Sequence, residues 1–451
     1  MLLCLISFLL PGPVAGAPPS GDPLPLPLTA AEAVRLALAN NPDCRIGWQR
    51  IAAAEAEKNA ARGIGLPQVS LHTSYDQTDN PMYSFGNILN QGAFTPEIDF
   101  NEPGRTDTLG LGVRLGYRLY RGGGDRAGED GAGFREDAAR MELLAVRQRL
   151  AFEVVRAVNL IRLAEGTVDT HSATVESIAA ALGHARARHD EGLLLRADLL
   201  DLEVQFAGAE EQLVEARHAL LLSRKRLVNL LGIDGGGDEI EIAAPAADGE
   251  QEVPSPAVPA QRPELLSLAA MTDAARARVR QAASGYYPEV DGYAGYGLDT
   301  GFVSGGSRPS WQAGVKMQFN LFDGRRTAAA VAGANAALAE VREQKRRTEQ
   351  AILLEIAEAE LSLKDAEQRL AVTGKTIVQA EESARINRDR FAEGLVLAAD
   401  LIAVENRLTT ARIRRAQALT GRRIAVADLR RACGLPQFDE PVAADAAKPV
   451  P

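Results

Sequence analysis

The chain has 451 residues, of which 46% are hydrophobic and only 5% aromatic, and its formal net charge is -10. That size can bury a large core, while the bias toward Ala, Glu, Arg and Leu favours long helices over a compact mixed core. The negative charge speaks against a nucleic-acid partner. The basic runs Ser223-Arg224-Lys225-Arg226 and Arg412-Ile413-Arg414-Arg415 lie among acidic residues in helical patterns and read as solvated helix faces.

In chain order, Met1 to Leu10 is apolar and is followed by the small-residue site Ala15-Gly16-Ala17. Residues 1–17 are therefore expected to be a secretory signal peptide, cleaved after Ala17. No later apolar run has the length of a membrane helix. Thr29 and Glu32 have the spacing of a capping box, and Asn41-Pro42 ends one helix and starts another.

The pattern then changes to period two. Val69, Leu71, Thr73 and Tyr75 alternate with Gln68, Ser70, His72, Ser74 and Asp76. Leu109, Leu111, Val113, Leu115, Tyr117 and Leu119 alternate with Gly110, Gly112, Arg114, Gly116 and Arg118. Later, Trp311, Ala313, Val315, Met317, Phe319 and Leu321 alternate with Gln312, Gly314, Lys316, Gln318 and Asn320, whereas Val290 to Gly297 alternates less cleanly. Such segments have one apolar and one polar face, and about ten residues is the length of a transmembrane β-strand. The alternative is a pair of amphipathic hairpins packed on a soluble core.

After each strand pair comes a heptad seam. Leu150, Val154, Ala157, Ile161, Ala164, Val168, His171, Val175, Ile178 and Leu182 are spaced alternately by four and three. They predict one helix from about Gly124 to Glu191, about 100 Å long at ~1.5 Å per residue. A reversal at Gly192 leads into a second seam from Leu199 to Leu230.

From Pro42 on, this organisation occurs twice, although Arg415 and Arg422 interrupt the second seam in the second copy. Arg188-His189-Asp190-Glu191-Gly192-Leu193 matches Arg390-Phe391-Ala392-Glu393-Gly394-Leu395 at an offset of 202 (390 − 188), and Asp198-Leu199-Leu200 matches Asp400-Leu401-Ile402. Earlier in the chain, Pro42-Asp43 matches Pro263-Glu264 at an offset of 221 (263 − 42). The first copy thus carries 19 extra residues (221 − 202) between Asp76 and Gly112, which read as a long loop. The expected organisation is a first repeat over 18–234, a linker over 235–262, a second repeat over 263–435 and a disordered tail over 436–451. Each repeat holds a helix, a β-hairpin and a long helical hairpin.

Four strands cannot close a membrane barrel, and an open sheet edge cannot face lipid, so membrane strands here would require several chains to share one barrel. No catalytic constellation emerges. Gly122-Gly123-Gly124 lacks the Lys and Ser or Thr of a phosphate loop, and there is no His-Glu-x-x-His or Gly-x-Ser-x-Gly motif. His171 reads as a satisfied seam histidine, and His184 and His189 are five apart, which poorly suits two ligands on one helical face. No metal site, cofactor or enzyme activity is assigned. Cys44 and Cys433 read as buried small residues or as a disulfide pair.

Leu28-Thr29-Ala30-Ala31-Glu32-Ala33 followed by Ala37-Leu38-Ala39-Asn40-Asn41-Pro42 resembles the opening of TolC-type outer-membrane efflux proteins. The duplicated Glu-Gly-Leu…Asp-Leu tips, and the strand ends Tyr120-Arg121-Gly122 and Phe322-Asp323-Gly324, are similar to the same family. The resemblance implies a mainly α fold with a small β part: a long α-helical barrel in the periplasm and a twelve-stranded transmembrane β-barrel shared by a homotrimer, four strands per chain. It implies a passive export channel of a tripartite efflux or type I secretion system in a Gram-negative outer membrane, opened by a periplasmic adaptor and an inner-membrane pump. Drugs, metal ions, metabolites and polypeptides pass through such ducts. By position, Gly192, Leu193, Asp198, Gly394, Leu395 and Asp400 would be adaptor-contacting tips. Leu195 and Leu397 stand where the family often has Ser or Thr, a departure that bears on which adaptor the tips would meet. Asp198, Asp201 and Asp400 would form acidic rings at a periplasmic gate or, alternatively, cap helix N-termini; Arg114, Arg118 and Lys316 would face the barrel lumen or a solvated sheet face. The competing functional reading is a periplasmic coiled-coil adaptor or scaffold.

Overall fold

The computed structural model describes residues 27–233, 240–243 and 262–438. The expected signal peptide lies outside the described residues, as do most of the linker and of the tail. The first part of the chain runs α1 (Ala30–Asn40), α2 (Pro42–Gly63), β1 (Gln68–Thr78), α3 (Pro81–Asn90), β2 (Thr106–Arg121), α4 (Gly124–Asp190) and α5 (Arg196–Leu231). It continues with α6 (Pro263–Ala283), β3 (Glu289–Thr300), β4 (Ser307–Gln318), α7 (Arg326–Ala392) and α8 (Ala398–Ala432). The starts of α4 and α7 lie 202 residues apart (326 − 124), and so do their ends (392 − 190). No helix among the described residues is long and apolar enough to cross a membrane.

The capping box forms as its spacing demands: the Glu32 N–H donates to Thr29 Oγ1 at 3.2 Å, and the Thr29 N–H donates to Glu32 Oε2 at 2.9 Å. Asn41 separates α1 from α2, and its Nδ2 donates to the Leu230 carbonyl at 2.8 Å.

The chain divides into two compact units, and each draws on both halves of the sequence. One holds the described residues among 1–48, 144–259 and 352–451. Its core includes Val154, Val158 and Ile161 of α4, packed with Ala33 and Ala37 of α1, Leu227 and Leu231 of α5, and Ala427 of α8. Cys44 belongs to this core, and Cys44 and Cys433 are both buried free thiols. Two expectations are corrected here. Pro436 to Phe438 is packed rather than part of a tail: Gln437 is buried and donates to the Ala427 carbonyl at 2.9 Å. The His171 ring is not fully satisfied, since its buried Nδ1 has no hydrogen-bond partner among the described residues, and burial lowers its pKa.

The other unit holds the described residues among 49–143 and 260–351. Its sheet has the order β1-β2-β3-β4, antiparallel throughout. The strand from Trp311 stops at Gln318, so Phe319 and Leu321 continue the alternation outside it. The expected long loop after β1 contains a helix, α3. Asn80 caps it, its Oδ1 accepting the Met82 N–H at 3.1 Å, and Pro81 starts it where a missing N–H costs nothing.

α2 and α4 are joined in this unit by Glu136, whose side chain is buried and lies 2.6 Å from Arg140 Nη2 and 2.9 Å from Lys58 Nζ. Hydrogen bonds from Arg140 and then Lys58 hold its carboxyl below the ordinary glutamate value of 4.5. A lowered folded-state pKa contributes stability above the ordinary value, and that contribution is lost as pH falls through the folded one. Glu136→Gln is therefore expected to lower the melting temperature at neutral pH. Melting curves recorded across an acid series should show the gap to wild type closing below pH ~4.

Candidate functional site

Two regions carry the candidate residues, one in each unit. The first is the pair of helical hairpin turns. Gly192 has φ +73° and Gly394 has φ +82°, the left-handed conformation in which a helix ends without a Cβ clash. At the first turn the Gly192 N–H donates to the His189 carbonyl at 2.9 Å and the Leu193 N–H to the Arg188 carbonyl at 2.8 Å; Gly394 and Leu395 repeat the pattern on Phe391 and Arg390. Leu194 and Val396 pack inward onto Leu182, Ala185, Leu202, Phe391, Ala398 and Leu401. Their neighbours point out: Leu193 and Leu395 are 65% and 72% exposed, and Leu195 and Leu397 are 72% and 66% exposed. Each hairpin turn thus presents two leucines to solvent.

Leu195 and Leu397 are the N-caps of α5 and α8, and neither can make a side-chain cap. The reading of Asp198 and Asp400 as caps is corrected accordingly. Both lie in the first helical turn, where their charge meets the helix dipole without a capping bond. Asp201 lies one turn on, and none of the three carboxylates has an ion pair among the described residues. Leu195→Ser should supply the missing acceptor and stabilise the start of α5 by about 1 kcal/mol. Amide exchange at Ala197 and Asp198 should then slow about fivefold; an unchanged rate would mean that the turn leaves no room for the cap.

The sequence reading missed what holds these hairpins together. Arg186 and Glu203 lie 3.0 Å apart, and 202 residues later the same pair recurs as Arg388 and Glu405, at 2.5 and 2.8 Å. The second pair is the more buried, with the Glu405 side chain only 4% exposed. The repeat offset contained this signal. Between the two hairpins, Thr174 shares a 2.8 Å hydrogen bond with Thr409, Gln205 donates to Asn406 at 3.0 Å, and Arg188 donates to the Phe391 carbonyl at 3.2 Å.

The second region is the sheet. Cross-strand partners lie on the same face. Arg114 pairs with Ser70 and Gly295, Gly112 with His72 and Gly297, and Arg118 with Asp291, which pairs in turn with Lys316. Arg114, Arg118 and Lys316 therefore share one polar face with Asp291, Asp299 and Arg308. Arg118 also donates to Asp125 at 3.2 Å. The register resolves the irregular strand β3 as well: Val290, Ala294, Tyr296 and Leu298 lie on the apolar side, and Tyr293 on the polar one. Glycines leave room there for partner rings. A Cβ on Gly112 would fall 2.6 Å from the His72 ring, and one on Gly314 would fall 2.7 Å from the Tyr293 hydroxyl.

The opposite face carries Val69, Leu71 and Tyr75, the row Leu109, Leu111, Val113, Leu115 and Tyr117, and Trp311, Val315 and Met317. All of these are exposed, Trp311 at 78%. The outer edges of β1 and β4 have no strand partner among the described residues. The sheet thus has an uncovered apolar face, a charged face and two open edges.

Comparison with known proteins places this architecture. The chain is 27% identical to the fusaric acid resistance protein FusA of Burkholderia cepacia, over 67% of this chain and 57% of that relative's length. Its fold superposes on the CmeC outer membrane channel of Campylobacter jejuni with a TM-score of 0.79 and 16% identity, covering 91% of this chain and 87% of the other. For the outer membrane protein VceC of Vibrio cholerae the TM-score is 0.75 and the identity 20%, with 91% and 97% covered. The outer membrane efflux protein model matches residues 33–233 and 256–435, most of the chain on both sides of the linker, and the protein belongs to that family of TolC-type outer-membrane channels.

Proposed function

We propose that three copies of this chain close one twelve-stranded barrel in the outer membrane and form a passive export conduit from the periplasm to the exterior. The observation that carries the reading is the sheet, whose two edges lack a strand partner among the described residues and whose apolar face is exposed. In lipid, unpaired strand edges leave backbone polar groups unsatisfied, and pairing the β1 edge of one copy with the β4 edge of the next removes them. Bacterial barrels of a single chain begin at eight strands, so four per chain need partners. Arg114, Arg118 and Lys316 then line the lumen.

The helical hairpins extend into the periplasm, and their turns meet an adaptor that couples the channel to an inner-membrane pump. Gly192, Leu193, Asp198, Gly394, Leu395 and Asp400 form that contact, and the four exposed leucines make it apolar. Asp198, Asp201 and Asp400, tripled by symmetry, form acidic rings at the gate. The test is the native mass of the protein extracted in detergent from outer membranes. A trimer is expected; a monomer released without detergent overturns the proposal and leaves a periplasmic scaffold.

A further inference from the structure

The 19 surplus residues of the first repeat fold as α3 and the segment after it, and they are bolted to the opposite hairpin. Gln91, at the end of α3, is only 1% exposed. Its Nε2 donates to the Asp107 carbonyl at 2.7 Å and to Thr108 Oγ1 at 2.8 Å, and its Oε1 accepts the Ser304 hydroxyl. Asp107, also 1% exposed, accepts the Phe302 and Val303 N–H groups at 3.0 and 2.7 Å. Ser84 donates to the Thr78 carbonyl at 3.0 Å, and Asn87 to Thr106 Oγ1 at 3.1 Å. Gly301 and Gly306 of the β3–β4 turn allow the close approach, since a Cβ on either would fall within 2.6 Å of a Gln91 atom. A buried network satisfied in this way rigidifies what it joins.

The side on which α3 lies follows from the register. Thr106 pairs with Thr78 and Thr108 with Asp76, in the same row of β2 as Arg114 and Arg118, and Arg308 pairs with Asp299 in that face. Asn87 and Gln91 bond to Thr106 and Thr108, and a Cβ on Gly92 would lie 3.4 Å from the Arg308 side chain. α3 therefore rests on the polar face, at the end of the sheet remote from the start of α4.

We infer that α3 is a fixed sill over the barrel lumen at its outer mouth and sets the size limit of what leaves. The inference rests on the reading of the polar face as the lumen. By threefold repetition, three sills narrow one exit, and the cargo is limited to molecules slim enough to pass between them.

Planar-bilayer recording with neutral polyethylene glycols of graded mass, added on the exterior side, tests this. Polymers that enter the mouth lower the current, and those excluded do not. In a variant with residues 80–104 replaced by an Asn-Gly turn, exclusion of the larger polymers should be lost. In Met82→Cys, at a side chain 80% exposed, attaching a bulky maleimide should remove most of the open-channel current. If the shortened variant fails to insert, the Met82 tag decides alone. An unchanged polymer limit, or a tag without effect, overturns the sill. A wild-type chain that forms no conducting unit overturns the channel reading itself, and the sill with it.

Discussion

Leu111→Arg is expected to abolish the detergent-extracted oligomer, while Gln312→Arg leaves its yield unchanged. Leu111 lies mid-strand in β2, paired with Thr73 on one side and Leu298 on the other, in the row of Leu109, Val113 and Leu115. That row is exposed in the single chain, and in the proposed barrel it faces acyl chains. An arginine at the bilayer midplane costs about 2–4 kcal/mol on a barrel's lipid face. One substitution places it there in all three copies. Gln312 lies on the other face, opposite Gly295, where a guanidinium stays in water. Outer-membrane fractions from cells producing each variant, resolved by native mass, give the comparison. Equal yields of oligomer from the two would mean that the apolar face does not meet lipid.

Gly232→Ala is expected to destabilise the protein by about 3 kcal/mol or more, against about 1–2 kcal/mol for Gly192→Ala. Both glycines are left-handed, at φ +66° and +73°, so both substitutions carry the cost of a Cβ in that conformation. They differ in space. A Cβ on Gly192 meets nothing within 4 Å, whereas one on Gly232 would lie 2.6 Å from the Asn40 carbonyl oxygen and 2.9 Å from Asn41 Cα. These are backbone atoms at the α1–α2 junction, and they cannot rotate away. From the same junction Asn41 Nδ2 donates to the Leu230 carbonyl, so the shift that admits a methyl also strains that bond. Thermal unfolding followed by far-ultraviolet circular dichroism ranks the two variants. Similar losses would show that the backbone at Gly232 yields readily.

Several features were legible because they are local or periodic. The seam from Leu150 to Leu182 required a long helix, and α4 spans Gly124 to Asp190. The Thr29–Glu32 spacing required a capping box, and Glu-Gly-Leu required a left-handed helix end at Gly192 and Gly394. Alternation separated Arg114, Arg118 and Lys316 from the apolar row on every strand but β3. Asn80-Pro81 was an unread helix start, and a loop expectation drawn from the repeat offset alone passed over it.

Helix lengths, turn positions and most strand faces follow from neighbours a few residues apart, and the duplication follows from matching one half of the chain against the other. Tertiary structure alone decided which distant polar groups meet. Gln91 and Ser304 are 213 residues apart in the chain, and Thr174 and Thr409 are 235 apart. No period or propensity links such pairs, because a side chain's partner across a fold is set by strand register and helix packing, which are products of the whole chain. The same reason explains β3: its Gly- and Tyr-rich pattern is ambiguous in isolation, and pairing with β2 and β4 assigns each side chain to a face.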